Sequence, residues 1–187
     1  MRRTAFLSLI LVFCASFAFA QAGAVNLFAD PGGSTCDLVP VVGGLWSVYA
    51  VHVLSPGATA SQWSAPVPAC ALPGGLWLSD TAVYPVTVGN SQTGVAIGYG
   101  VCVPSPNHIL TINLFVQAPI APCCVWPILP DPNVPSGKVE VVDCANNLLQ
   151  VDSQASAVIN SDPSCDCFEP LPTETSTWGK VKALYSQ

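Results

Sequence analysis

Hydrophobic residues alternate with polar or small residues along two segments of the chain. In Ile109–Gln117 the even positions are all leucine, isoleucine or valine, whereas most odd positions are polar. In Thr93–Val103 the odd positions from Val95 to Val101 are bulky, whereas the even positions between them are glycine or alanine. A period of two is typical of a β-strand with one face in the core. The pattern predicts two strands, and one face of the second strand carries only very small side chains.

Seven further hydrophobic runs predict strands, and clusters of Pro, Gly, Asn and Asp between them predict turns. Many short strands at such spacing indicate an antiparallel β-sandwich, of an immunoglobulin-like or cohesin-like kind. We expect it to span residues 21–168. The seven runs are Val25–Ala29, Leu45–Leu54, Gln62–Val67, Val83–Val88, Val125–Leu129, Lys138–Val142 and Leu148–Val151.

The bare face of the second strand carries Gly94, Ala96, Gly98 and Gly100. Glycine weakens a strand, so a row of small residues indicates that something packs closely against it. The candidates are an overlying loop, aromatic side chains of a neighbouring strand, or a ligand.

Residues 1–20 have the features of a secretory signal peptide. Arg2 and Arg3 are followed by an apolar run and by Ala18-Phe19-Ala20, a small-x-small cleavage site. The run is too short for a membrane anchor, and no second long apolar segment follows Val25. We therefore expect a secreted or surface-located chain without a transmembrane segment after cleavage.

Residues 169–187 form a proline-rich linker and a predicted short amphipathic helix. Trp178, Val181 and Leu184 or Tyr185 lie on one helical face, and Lys180 and Lys182 lie towards its C-terminal end. A helix this short needs a surface to dock on. The expected surface is an export or envelope component, and the alternative is the sandwich itself.

Charge excludes one class of partner. After cleavage the chain has three lysines, no arginine and eleven acids, which gives a net charge of −8. Nucleic-acid binding requires clustered cations that displace counterions from phosphates. We therefore expect no nucleic-acid partner, and we expect no binding to anionic membrane surfaces.

Eight cysteines remain after cleavage, and the export signal predicts that they form four disulfides. They lack the Cys-x-x-Cys spacing of zinc sites, so we expect no metal. Adjacent cysteines in a strand point to opposite faces and should have different partners. The expected pairs are Cys36 with Cys70, Cys102 with Cys123 or Cys124, and Cys144 with Cys165 or Cys167.

The pattern of potential catalytic residues does not indicate an enzyme. His52 and His108 are the only histidines, and no Gly-x-Ser-x-Gly nucleophile motif or phosphate-binding glycine loop is present. We expect no catalytic residue and no cofactor. The acids of turn-rich segments should form turns through side-chain to backbone hydrogen bonds, with calcium binding at 131–137 as a minor alternative. These acids are Asp30, Asp80, Asp131 and Asp162.

Trp46, Trp63, Trp77 and Trp126 have two interpretations. Tryptophans of a charge-poor domain usually fill the core, but flat aromatic faces on a sandwich also stack on sugar rings. Trp63 and Trp77 are the candidates for ligand stacking. The core is the favoured interpretation for each tryptophan, and the polar context Ser61-Gln62-Trp63-Ser64 makes Trp63 the best candidate for exposure.

Two resemblances support this picture. The segments 46–53, 57–63, 93–99 and 108–112 resemble the strand order of cohesin-like and carbohydrate-module-like sandwiches. The ending Thr177-Trp178-Gly179-Lys180-Val181-Lys182-Ala183-Leu184-Tyr185 is similar to tails of uncharacterised secreted bacterial proteins, which implies an export or anchoring role.

Together these features predict a disulfide-stapled, non-enzymatic binding or structural module of a bacterial cell surface. The alternative is a carbohydrate-binding module that uses exposed tryptophans.

Overall fold

A computed structural model describes residues 23–72, 74–151 and 156–167. The predicted signal peptide and the predicted tail helix lie outside these residues. Among the described residues, no helix is long and apolar enough to cross a membrane. The strands are β1 Ala24–Phe28, β2 Asp37–Leu38, β3 Gly44–Val53, β4 Ala58–Trp63, β5 Gly75–Ala82, β6 Val86–Asn90, β7 Gly94–Val103, β8 Asn107–Val116, β9 Cys124–Pro127, β10 Val139–Asp143, β11 Leu148–Val151 and β12 Ser156–Ile159, and a 3-10 turn covers Ala69–Ala71.

The strands form the predicted all-β sandwich. One sheet has the order β1-β3-β8-β5, the other has the order β11-β10-β4-β7-β6, and a small third sheet has the order β2-β12-β9. All pairs are antiparallel except β2 with β12. β5 and β6 are consecutive edge strands of different sheets, so the chain crosses between sheets at this edge.

The core lies between the two larger sheets and follows the alternation of the sequence. The inward positions of β8 are fully buried, as predicted: Leu110, Ile112, Leu114 and Val116. Val95, Ile97 and Tyr99 of β7 are also buried, whereas Val101 is 65% exposed. The alternation of β7 therefore holds until Gly100, whose φ of +77° turns the strand.

Three strands were not predicted from the sequence. β5 is mostly exposed and β2 has two residues, so neither has a buried hydrophobic run. β12 is short and follows residues outside the described part of the chain. In addition, β4 covers Ala58–Trp63, whereas the sequence predicted a strand at Gln62–Val67. The two ranges share only residues 62 and 63.

The eight cysteines form four disulfides, as predicted. The pairs are Cys36–Cys167, Cys70–Cys124, Cys102–Cys144 and Cys123–Cys165. Adjacent Cys123 and Cys124 indeed have different partners, but all the expected pairings are wrong. Pairing depends on which loops meet at the ends of the sheets, which the order of cysteines along the chain does not give.

We predict that replacing both Cys70 and Cys124 by alanine destabilises the fold strongly. This disulfide closes a loop with a sequence separation of 54, for which the loop-entropy model gives about 4 kcal/mol. Urea unfolding of the oxidised proteins measures the difference. A loss below about 1 kcal/mol would contradict the assigned pair.

Candidate functional site

The outward face of the five-stranded sheet carries a continuous apolar row. Five residues, one from each strand, are cross-strand partners in register: Val86 of β6, Gly98 of β7, Ala60 of β4, Val142 of β10 and Leu148 of β11. Val86 is 61% exposed and Leu148 is 57% exposed, although both are large and apolar. An apolar row across a whole sheet face is typical of an interaction surface.

A second row lies two residues along each strand. It is apolar at the β6 side and polar at the β11 side, and it consists of Val88, Ala96, Gln62, Glu140 and Gln150. Val88 is 71% exposed. The face therefore combines an apolar half with a polar border, which is the usual composition of a protein interface.

The small residues of the two central strands make this face concave. Ala60, Ala96 and Gly98 form the floor of a groove of about 180 Å³, which Val86 and Val88 line on one side and Glu140, Val142 and Leu148 on the other. We call it the β4–β7 groove. β6 and β10 are three strand spacings apart, so the walls are separated by about 14 Å. An α-helix with side chains is about 10–12 Å wide and therefore fits between them.

The row of small residues in β7 has two different explanations. A Cβ at Gly94 would collide with the carboxylate of Asp131, so this glycine accommodates a neighbouring loop. A Cβ at Gly98 would lie 3.4 Å from Val86, at the tight limit of contact, and it would rise into the groove. The small residues thus accommodate an intramolecular loop at one end and leave an open groove at the other.

Hydrogen bonds fix the polar border of the groove. The amide of Gln62 donates to Asp131 at 2.8 Å, and the backbone and side chain of Asn133 also donate to this carboxylate. Partial burial acts to raise the pKa of Asp131, but these hydrogen bonds outweigh it and hold the pKa below its ordinary value. Asp131 is therefore charged at neutral pH and holds Gln62 in place.

Glu140 is the one ionisable side chain in the two rows. It is partly buried at the groove wall beside Gln62. The groove thus presents one negative charge next to apolar surface, which favours a partner that is apolar with a basic residue at its flank.

The tryptophans do not form an exposed platform among the described residues. Trp63 is fully buried, in agreement with the favoured core interpretation, so it is not the exposed ligand-stacking residue of the alternative. Its indole N–H donates to the hydroxyl of Ser61, which lies on the same inward face of β4. Ser61 is therefore polar because it satisfies the buried indole, and not because this segment is exposed. Trp126 is buried too, whereas Trp77 is half-buried and donates to Asp80 at 3.0 Å.

The histidines occupy structural positions. His52 is 1% exposed in β3, and its ring lies 6.4 Å from that of Tyr99. His108 is half-buried, lies 3.0 Å from the Thr111 hydroxyl and packs edge-on against Tyr49. Burial lowers the pKa of His108 and favours the neutral ring.

Three of the turn acids behave as predicted. Asp30, Asp131 and Asp162 accept backbone N–H groups of their own loops. Asp80 differs because it lies in β5, where it accepts hydrogen bonds from Trp77 and Ser91. A general acid needs a raised pKa, whereas the pKa values of Asp30, Asp131 and Asp162 are lowered.

Cys123, Asp162 and Cys165 also come close enough together to suggest a metal site. The two cysteines are bonded to each other, however, and so offer no thiolate ligand. The cluster therefore consists of a disulfide that links two loops and an adjacent aspartate.

The opposite sheet has a smaller apolar row, Leu45, Phe115 and Leu76, at one end of its outward face. Leu45 is 77% exposed. The next row is polar, and Ser47 there hydrogen-bonds Asn113. This end provides matched control positions for the groove.

Comparison with solved structures finds cohesin modules, in agreement with the resemblance of segments 46–53, 57–63, 93–99 and 108–112 to cohesin-like sandwiches. One is the cohesin module of a family 33 glycoside hydrolase from Clostridium perfringens, with a TM-score of 0.48 and 9% identity over 75% of this chain and 99% of that one. Another is the sixth cohesin of scaffoldin B from Acetivibrio cellulolyticus, solved in complex with a mutant Cel5 dockerin, with a TM-score of 0.46 and 13% identity over 74% and 99%. No protein-family model matches the chain. No curated protein matches it either.

We predict that Trp63→Ala lowers the free energy of unfolding by about 3–5 kcal/mol, because it leaves a cavity in a closed core. Trp77→Ala should cost less, because Trp77 is only half-buried. Denaturant unfolding of both variants makes the comparison. Equal small losses would show that Trp63 lies at the surface.

We predict a pH-dependent contribution from Asp143. Hydrogen bonds from the side chain and backbone of Asn147 lower its pKa from 3.8, so the stabilisation is complete above this value and is lost as the pH falls through the lower folded pKa. The urea midpoint of Asp143→Asn should lie below that of the parent chain at neutral pH and approach it as the pH falls through the lowered pKa of Asp143. A difference that grows as the pH falls would contradict this.

Proposed function

We propose that this chain is a secreted, non-enzymatic β-sandwich that binds a protein partner through the β4–β7 groove. The observation that carries the proposal is the apolar row from Val86 to Leu148, which is complete across all five strands. A partner that covers the exposed valines and leucine of this row removes apolar surface from water, which favours binding.

The shape of the groove supports an amphipathic helix as the element that the partner presents. The walls are about 14 Å apart, and a floor of alanine and glycine lets a helix approach closely. The two rows are about 7 Å apart along the strands, close to the 6 Å rise between helix positions i and i+4. A helix with apolar residues at i and i+4 would therefore meet both rows.

Electrostatics supports a partner with basic residues. The mature chain has a net charge of −8, and Glu140 is the charged group at the groove. Such a field accelerates association with a cationic partner and disfavours an acidic one.

An extracellular location is supported by two features. Four disulfides persist in oxidising compartments, and the N-terminal sequence has the pattern of a signal peptide. Proteins of the cell surface or the surrounding medium are therefore the partners to test.

A non-enzymatic role is supported by the positions of the ionisable groups described above. His52 packs inside the sandwich, and the acids with shifted pKa values hold loops. The carbohydrate alternative needs exposed tryptophans, and Trp63, its favoured residue, is buried. Binding of the tail residues Trp178, Val181, Leu184 and Tyr185 to an export or envelope component stays a prediction from sequence.

We predict that Val88→Asp abolishes capture of the partner, because a desolvated charge in the groove opposes binding. The immobilised, oxidised mature chain is incubated with surface and medium proteins of the producing cells, and captured proteins are identified by mass spectrometry. Leu45→Asp is the matched control, since Leu45 is equally exposed on the opposite sheet.

Proteins captured by the parent chain and Leu45→Asp, but lost with Val88→Asp, are the expected result. Capture that survives Val88→Asp, or a glycan array that shows specific sugar binding by the same proteins, would contradict the proposal.

A further inference from the structure

We propose that the Cys102–Cys144 disulfide is a thiol–disulfide exchange site, and that its opening by an external dithiol reductant loosens one wall of the β4–β7 groove. This inference rests on the proposed function, because it assigns a regulatory bond to the same groove. The oxidised chain is the form that binds a partner, and the reduced chain binds it more weakly.

Cys102–Cys144 is the most solvent-accessible of the four disulfides that the structure describes. Both of its cysteines are exposed. Two of the other bonds each contain a fully buried cysteine, Cys36 or Cys124, and both cysteines of the fourth bond are half-buried. Exchange requires that a thiolate reach a sulfur atom, so exposed disulfides are the labile ones.

A cavity of about 270 Å³ gives a reductant access to this bond. The backbone lies directly against the bond here, since a Cβ at Gly57 would be 2.6 Å from Sγ of Cys144 and 2.9 Å from Sγ of Cys102. Glycine therefore leaves room for the disulfide beside the cavity. The cavity is lined by Pro56, Gly57, Cys102, Asp143, Cys144 and Ala145.

The reaction is a two-step exchange with a dithiol. A thiolate of the reductant bonds to one Sγ atom, the Sγ–Sγ bond breaks, and the displaced cysteine leaves as a thiolate that takes a proton. The second thiol of the reductant then attacks the mixed disulfide and releases the other cysteine. The protein gains two electrons and two protons, and the dithiol is oxidised to a disulfide.

Backbone pairing of β7 is interrupted where the bond lies. β4 pairs with β7 at Ala60–Gly98 and again at Ala58–Val103. Between these pairs, four residues of β7 lie opposite one residue of β4, and Cys102 is one of the four. Such an irregularity leaves ladder groups unpaired. The disulfide therefore secures a part of the sheet in which backbone hydrogen bonds are incomplete.

The other half of the bond follows the groove wall directly. Val142, a wall residue, lies two positions before Cys144, and the pairing of β10 with β4 shifts register between Val142 and Asp143. β10 also pairs with β11, which contributes Leu148 to the same wall. Loss of the bond should therefore loosen β10 and β11 locally, while the core and the other three disulfides keep the sandwich folded.

The first test measures which disulfide opens first. The oxidised mature protein is treated with limiting dithiothreitol, quenched by alkylation at intervals and mapped by mass spectrometry. We expect Cys102 and Cys144 to become alkylated at least about tenfold faster than any other pair. Cys123–Cys165 is the matched control, because it also closes a sequence separation of 42 and so has the same loop-closure entropy.

The second test measures what the bond does to the groove wall. The variant with Cys102→Ser and Cys144→Ser represents the reduced state, and the variant with Cys123→Ser and Cys165→Ser is its control. Hydrogen exchange followed by mass spectrometry should show faster exchange of residues 139–151 in the first variant only, with β8 equally protected in both. The parent protein reduced and alkylated at Cys102 and Cys144 provides the same comparison without mutation. Partner capture should be weaker with the first variant than with the parent chain.

Four results would overturn the inference: earlier opening of another disulfide, unchanged exchange at 139–151, loss of protection throughout β8, or equal partner capture by the first variant and the parent chain. If capture depends on Val88 while another disulfide opens first, the proposed function stands and this inference fails. If Cys102–Cys144 opens first and the wall loosens, but capture is independent of Val88, the exchange site is confirmed and the proposed function fails.

Discussion

The register of the five-stranded sheet is the constraint on which both the core and the groove depend. The pairing of Ala60 with Gly98 and of Ser61 with Ile97 places successive residues of β4 and β7 on opposite faces. Trp63 and Ile97 thereby enter the core, and Ala60 and Gly98 form the groove floor. A slip of one residue would exchange the two faces, burying the small residues and exposing the large ones.

Disulfides connect parts of the sandwich that are distant in sequence. Two of the bonded pairs, Cys102–Cys144 and Cys123–Cys165, each close a separation of 42 residues, and Cys36–Cys167 closes 131. Cys102–Cys144 joins the end of β7 to the end of β10, strands that are separated in the sheet by β4. This bond helps to fix the spacing of strands that contribute to the floor and one wall of the groove.

Sequence predicted the parts of the fold that depend on local pattern. The alternation in β8 identified Leu110 to Val116 as core, and the small residues of β7 indicated close packing or a ligand. The apolar row was missed because Val86, Val142 and Leu148 are distant in sequence and become neighbours only through pairing. Trp63 was the best candidate for exposure because its neighbours Ser61 and Gln62 are polar, whereas Ser61 faces inward and accepts the indole N–H. The disulfide pairs depend on loop proximity in the same non-local way.

Cross-strand nuclear Overhauser effects in the oxidised mature protein test the central claim, the register that forms the groove, most directly. The account predicts contacts between opposite residues of the apolar row, namely Val86 with Gly98, Gly98 with Ala60, Ala60 with Val142, and Val142 with Leu148. A spectrum in which Ala60 instead lies opposite Ile97 would place the small residues in the core and contradict the account.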